Sequence, residues 1–406
     1  MCLAQVLGMT GFMTYPALLP QLQVEWALTN AAAGWVTAVY FIGYLGAVTV
    51  LTSLTDRVDA RRIYLWSMAV SVISAAGFCF FADGMWSASL WRALQGIGLA
   101  GTYMPGLRAL TDRVPQAGRS RAVAFYTANF VVGTSLSVFI SGEAYPLVGW
   151  RWTFLVSAVG PVAALVIAAR FLEPIAAPAG GVTSGPARRL LDFRPAFRNR
   201  GAMGYTLAYA CHCWELFGLR GWMVAFLVFG LAQAPPTAFG AEWSPTHIAT
   251  LLAIVGLPAS VLGNEAAERF GRRRVATVLM VLSGAVAIAT GLAATAAPLA
   301  LVAVMLVYGT TVMSESSVLT AGTVKAAAEE HMGATMAVHS LIGFSGSFLG
   351  PFAFGIMLDL GGGELERTAW FLGFLSLGAA VFLGPAFLWM SAFRPASPGP
   401  IAPARP

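Results

Sequence analysis

The chain has 406 residues, of which 58% are apolar and only 10% are Asp, Glu, Lys or Arg. That balance leaves too little charge to solvate a globule of this size, and the formal net charge of +6 is spread between apolar runs, which argues against a nucleic-acid partner. Cys2, Cys79, Cys211 and Cys213 all fall in apolar segments, so neither a disulfide framework nor a secreted domain is expected.

Long apolar runs without strand alternation recur along the sequence. Hydrocarbon forces a backbone to satisfy its own polar groups, so these runs read as membrane-spanning helices. Twelve are predicted, at 2–22, 31–54, 63–82, 86–108, 121–142, 150–171, 202–231, 247–263, 275–296, 298–322, 333–358 and 368–392. Each is near the ~20 residues a bilayer needs. The first lacks a basic n-region and a small-residue cleavage site, so it is expected to be a retained span rather than a signal peptide. The cytoplasmic tail usually found before such a span is missing, so a late-assigned start codon is expected. The seventh is long enough to tilt or to pass the interface, and the eighth is short.

The stretch 173–200, rich in Pro, Gly, Ala and Arg, is predicted to be a flexible cytoplasmic linker. It separates an N-terminal half, 1–172, from a C-terminal half, 201–393. Residues 394–406 are Pro-rich and are predicted to form a disordered cytoplasmic tail. With both termini inside, 20 of the 24 Lys and Arg residues fall in cytoplasmic connections. The positive-inside rule then favours this orientation in the inner membrane.

The halves repeat each other. At an offset of 212, Asp56-Arg57-Val58-Asp59-Ala60-Arg61-Arg62-Ile63 lines up with Glu268-Arg269-Phe270-Gly271-Arg272-Arg273-Arg274-Val275. At an offset of 213, Gln95-Gly96 matches Tyr308-Gly309, Ala124 matches Ala337, and Gly133 and Gly142 match Gly346 and Gly355. Two halves related in this way place a solute site between them near the midplane, where rocking alternates access.

These residues carry a resemblance. The loop Thr52 to Arg62 is similar to the signature that follows span two in the major facilitator superfamily, usually written G-x-L-a-D-R-x-G-r-r, although Thr52 and Asp59 stand where the pattern has Gly. The second copy, Asn264 to Arg274, keeps Arg-Phe-Gly-Arg-Arg-Arg. Arg92-Ala-Leu-Gln95-Gly96 is similar to the family's R-x-x-x-G element in span four, and Gly149-Trp-Arg-Trp-Thr-Phe154 to the usual start of span six. The resemblance implies an all-α membrane protein with twelve transmembrane helices in two pseudo-symmetric six-helix halves. It implies a secondary transporter working by alternating access rather than an enzyme. It also implies that Asp56, with Arg57, Arg62 and Arg108 in the first half and Glu268 with Arg269 in the second, forms a cytoplasmic gating motif. Drug antiporters of this family usually carry a Gly-Pro element in span five; 121–142 contains no proline, which counts against a multidrug exporter. Nitrate and nitrite porters place an Arg in spans two and eight, and neither span here contains one.

An ionisable group at the bilayer centre costs about 2.5–3.5 kcal/mol on insertion scales and is a functional candidate by default. Of the 18 acidic residues, Glu215 in span seven and Glu315 in span ten lie well inside spans. Tyr205, His212, Glu215 and Trp222 share a helix face, and that polar stripe is expected to face a cavity. Glu315 sits among Ser314, Ser316 and Ser317 with Tyr308 on the same face, where a purely structural hydrogen-bond cluster is the competing reading. His339, at the repeat position of Tyr126, is a candidate proton relay, against the simpler role of a satisfied packing residue. Arg92, with Gln95 one turn on, is expected by resemblance to face the central cavity and to pair with the solute or with Glu215. Arg220 lies nearer its interface, where snorkelling is the first reading. Thr10, Thr14, Tyr15, Gln21, Tyr40, Tyr44 and Asn129 are further lining candidates.

Cys211-His212-Cys213 invites a metal reading. Positions two apart on a helix point roughly 200° from each other, so the two thiols cannot join one mononuclear site, and no metal is expected. No Walker-type loop is present, so no nucleotide cofactor is expected. The sequence thus predicts a monomeric, proton-linked secondary carrier for a small polar or anionic organic solute. An efflux antiporter for drugs or metabolites is the alternative, and a transporter-like receptor is the rival from another class.

Overall fold

The computed structural model describes residues 1–175 and 193–390. Most of the predicted linker and all of the predicted tail lie outside these residues.

Span one is broken into α1 (Cys2–Gly8), α2 (Thr14–Ala17) and α3 (Leu19–Glu25). Span two is α4 (Asn30–Leu54), started by Thr29, whose hydroxyl accepts from the Ala32 amide at 3.1 Å. Span three is α5 (Ala60–Phe81). Span four is α6 (Met85–Thr102) followed, across a break at Tyr103, by α7 (Met104–Thr111), where Pro105 sits in the first turn. Spans five and six run together as α8 (Gln116–Phe171), folded back at Gly149, whose φ of 74° suits a residue without a Cβ.

After the short α9 (Arg194–Arg198), the second half comprises α10 (Arg200–Ala232), α11 (Pro245–Phe270), α12 (Arg272–Leu292), α13 (Pro298–Ala326) and α14 (Met332–Leu360). It ends with α15 (Arg367–Val381) and α16 (Gly384–Met390). Among the described residues nine helical stretches are long and apolar enough to cross a membrane. With α8 crossing twice and the broken spans one and four added, all twelve predicted crossings are accounted for.

Three expectations need correction. Span one is not a continuous helix. Span four breaks at Tyr103, just before Pro105. Span eight is not short: Pro245–Phe270 holds 26 residues, because the helix continues through the polar Asn264 to Arg269 segment beyond the apolar run.

Glycines let the helices approach closely. A Cβ on Gly346 would lie 2.2 Å from the Ala210 carbonyl oxygen, and one on Gly350 would lie 2.1 Å from that of Trp214. The smooth face of α14 therefore packs backbone to backbone on α10. Replacing Gly350 with Val should lower the melting temperature of the purified protein by an overpacking penalty of about 1–3 kcal/mol or more. A wild-type melting curve would contradict this packing.

The halves meet where α4 lies against α14, α8 against α11, and α10 against α2 and α3. An aromatic seam joins α4 to the second half, with Phe41 and Phe217 of α10 at a ring-centre separation of 4.6 Å and Tyr44 and Phe344 of α14 at 4.5 Å. The end carrying Asn30 is closed. Asp359 of α14 accepts from the Asn30 amide at 3.0 Å, the Asn30 side chain at 2.9 Å and the Ala31 amide at 2.8 Å, so a carboxylate of one half caps a helix of the other. His247 and Glu143 add a second cross-half pair at 2.6 Å. At the other end a cavity of about 780 Å3 opens between the halves, lined among others by Thr52, Asp56, Arg108, His331 and Ser340.

Candidate functional site

The first loop motif flanks the open cavity through Thr52 and Asp56. Asp56 and Arg108 pair at 3.5 Å with both side chains substantially exposed, a contact worth about 0–1 kcal/mol. Arg57, Arg62 and Arg269 are exposed and form no ion pair among the described residues. In the second copy Glu268 holds Lys325 at 2.8 Å and also Arg272, rather than Arg269.

The better-held acid of the first loop is Asp59, which stands where the family pattern has Gly. In the second copy that position is Gly271, with φ at 90°, a conformation favouring Gly. Asp59 instead has φ at −51° and caps α5, accepting from the Arg61 amide at 2.9 Å while pairing with Arg113 at 3.0 Å. Burial pushes its carboxyl up, but the amides of Ile175 and Arg61 together with the Arg113 guanidinium outweigh this and hold it below the ordinary carboxylate range.

Arg92 and Gln95 are buried in the first half. The break in span one frees carbonyls that a continuous helix would have used. Gln95 Nε2 donates to the Gly11 carbonyl at 2.8 Å, and Arg92 Nη1 donates to Gln95 Oε1 at 2.6 Å and to the Phe12 carbonyl at 3.4 Å. The guanidinium also lies 4.6 Å from the Tyr40 ring centre and 5.6 Å from that of Tyr15. The expected pairing of Arg92 with Glu215 is absent, because Arg92 is spent on closing the break in its own half.

Thr10 and Thr14 bond Ser157 within that half, and Asn129 is half-buried without a side-chain partner among the described residues. His339 meets Thr323 at 3.1 Å and Thr206 at 3.4 Å and stacks on Tyr209. It stands apart from the acidic residues.

Glu215, Glu315 and His212 come together. All three are fully buried inside the second half. His212 Nδ1 lies 3.0 Å from Glu315 Oε2, and Ser283 Oγ of α12 bridges to Glu315 Oε1 and, at 3.2 Å, to Glu215 Oε2. Tyr308 lies beside Glu215. A serine hydroxyl has one proton and can donate to only one of the two carboxyls at a time. The bridge joins both carboxyls and His212 in one buried polar cluster. The donor atoms of His212, Glu215 and Glu315 also lie within 4.8 Å of one another, a spacing that a divalent ion would accept. Ser283 was not among the sequence candidates, yet it is the repeat counterpart of Ser71 at the offset of 212 that aligns the two loops.

Arg220 is also displaced from its expected place. Rather than snorkelling, it is buried at 7% exposure and faces a pocket between the halves.

These features define a polytopic helical membrane protein of two repeated halves around a central cavity. The sequence profile of the Major Facilitator Superfamily matches residues 1–240, and the chain belongs to that family. The niacin transporter NiaP of Acinetobacter baylyi is 24% identical over 166 residues, covering 41% of this chain and 37% of that protein. The gallate transporter of Pseudomonas putida is 30% identical over 179 residues, covering 42% and 39%. This chain spans no more than 66% of the length of the curated relatives it matches. The fold matches that of a bacterial homolog to the human lysosomal transporter Spinster, solved in an inward-facing and occupied conformation. The TM-score is 0.71 at 17% identity, covering 96% of this chain and 93% of that one.

Proposed function

We propose that the protein is a proton-linked secondary carrier that moves a small polar or anionic organic solute across a bacterial cytoplasmic membrane by alternating access. Both termini and the Asp56 loop face the cytoplasm in this reading, supported by the Lys and Arg distribution. The open cavity then faces inward, and Asn30 with Asp359 closes the outer end. The family and the names of the relatives support transport of a solute.

Coupling rests on one observation, the Ser283 hydroxyl shared between Glu215 and Glu315 beside His212. Adding or removing a proton there changes the charge of a site that water does not reach, where an uncompensated charge costs several kcal/mol. A difference of a few kcal/mol between states is enough to reverse which opening is favoured. A thermal-shift screen against metabolite classes identifies the solute, since a bound ligand stabilises by mass action. Its uptake into liposomes should then rise when the outside is made acidic. Uptake indifferent to the pH gradient would make the protein an uncoupled facilitator, and binding without turnover would make it a receptor.

A further inference from the structure

Arg220 presents a buried cation without a counter-charge. Among the described residues its polar contact is the Met313 sulfur at 3.5 Å, and its guanidinium lies 5.6 Å from the Phe217 ring centre. A thioether is a weak acceptor and a ring face neutralises only part of a charge. Arg92 also lacks a carboxylate partner, but its Nη1 is already hydrogen-bonded to a side-chain amide and a backbone carbonyl of its own half.

The pocket that Arg220 lines lies between the halves, with Met13 and Thr134 on one side and Met223, Met305 and Met313 on the other. Its cavity is about 30 Å3 in this conformation. Four of its wall residues are methionines, whose unbranched side chains rotate to admit a larger body, and it widens further as the halves part. Thr134 spends its hydroxyl proton on the Phe130 carbonyl at 2.7 Å, leaving an acceptor and no free donor toward the pocket.

We infer that this pocket binds monocarboxylates bearing an apolar body, with Arg220 as the anchor. A carboxylate matches the guanidinium fork and cancels its charge where water is scarce. A neutral solute leaves the cation unpaired, and a dianion brings a second charge against an apolar wall. The inference rests on the reading of the chain as a carrier of organic solutes and narrows its substrate class.

The test is equilibrium binding to the purified full-length protein in detergent at fixed pH, with benzoate, phenylacetate and isovalerate as probes and benzamide and succinate as counterparts. At least one monocarboxylate should bind, with benzamide and succinate at least tenfold weaker. Arg220→Gln should raise the Kd of that monocarboxylate tenfold or more, and Arg220→Lys should recover part of the loss. Binding of benzamide as tight as that of benzoate, failure of all three monocarboxylates, or an unchanged Kd in Arg220→Gln overturns the assignment. The comparison of probes on the wild-type protein holds even if a variant fails to fold. No membrane or gradient enters this measurement, so Arg220-dependent binding alongside pH-indifferent uptake would sink proton coupling and leave the anion site standing.

Discussion

Glu215→Gln should bind solute and exchange it between two loaded compartments at close to the wild-type rate, yet fail to accumulate it against a gradient. The glutamine amide reproduces the shape of a protonated carboxyl and can still donate to Ser283 Oγ, so the bridge to Glu315 persists. What is lost is the ability to give the proton up. A pH difference of one unit is worth about 1.4 kcal/mol and so supports roughly tenfold accumulation for each proton coupled. The variant should fall from that level to equality of inside and outside. Loss of counterflow as well would make Glu215 a binding or structural residue. Retention of both activities would move the coupling role to Glu315.

Asp359→Ala should release the Asn30 end. The carboxylate accepts three hydrogen bonds from Asn30 and Ala31 across the halves and compensates the free amides that begin α4. Removing an exposed but charge-assisted cap of this kind costs about 1–3 kcal/mol, which shifts the balance of the two openings by roughly 5- to 150-fold. A cysteine introduced at Gly34, whose Cβ would meet the Pro351 carbonyl, is too disruptive as a reporter, so Thr37, buried on the same helix against Gly221 of the other half and close to cysteine in size, is the better site. Thr37→Cys should react with an impermeant thiol reagent several-fold faster in the Asp359→Ala background. Equal rates would show that Asp359 does not hold that end shut.

Much of the architecture was legible in the sequence because hydrocarbon imposes length and apolarity on every crossing. The repeat offsets placed corresponding residues on corresponding helices, as Gly96 on α6 and Gly309 on α13 illustrate. Breaks were not legible. The interruption of span one between Gly8 and Thr14 lies in apolar sequence, and it is stabilised from another helix by Gln95 and Arg92. The depth of Glu215 and Glu315 marked them as candidates, but not that one serine joins them, since Ser283 lies on a third helix and a lone hydroxyl in a span is an ordinary packing residue. Arg92 and Arg220 exchanged roles for the same reason: depth is a property of one helix, whereas partners come from its neighbours. Asp59 looked like a defect in the loop motif because the pattern's Gly serves a backbone conformation, and only the fold shows the acid replacing that conformation with a cap and an ion pair.

The central claim is that solute movement carries protons through the cluster around Ser283. It is tested most directly by recording external pH in lightly buffered liposomes containing the purified protein when solute is added outside. The account predicts alkalinisation of the medium with the wild-type protein and none with Glu215→Gln. Solute entry through the wild-type protein with no change in pH would contradict it.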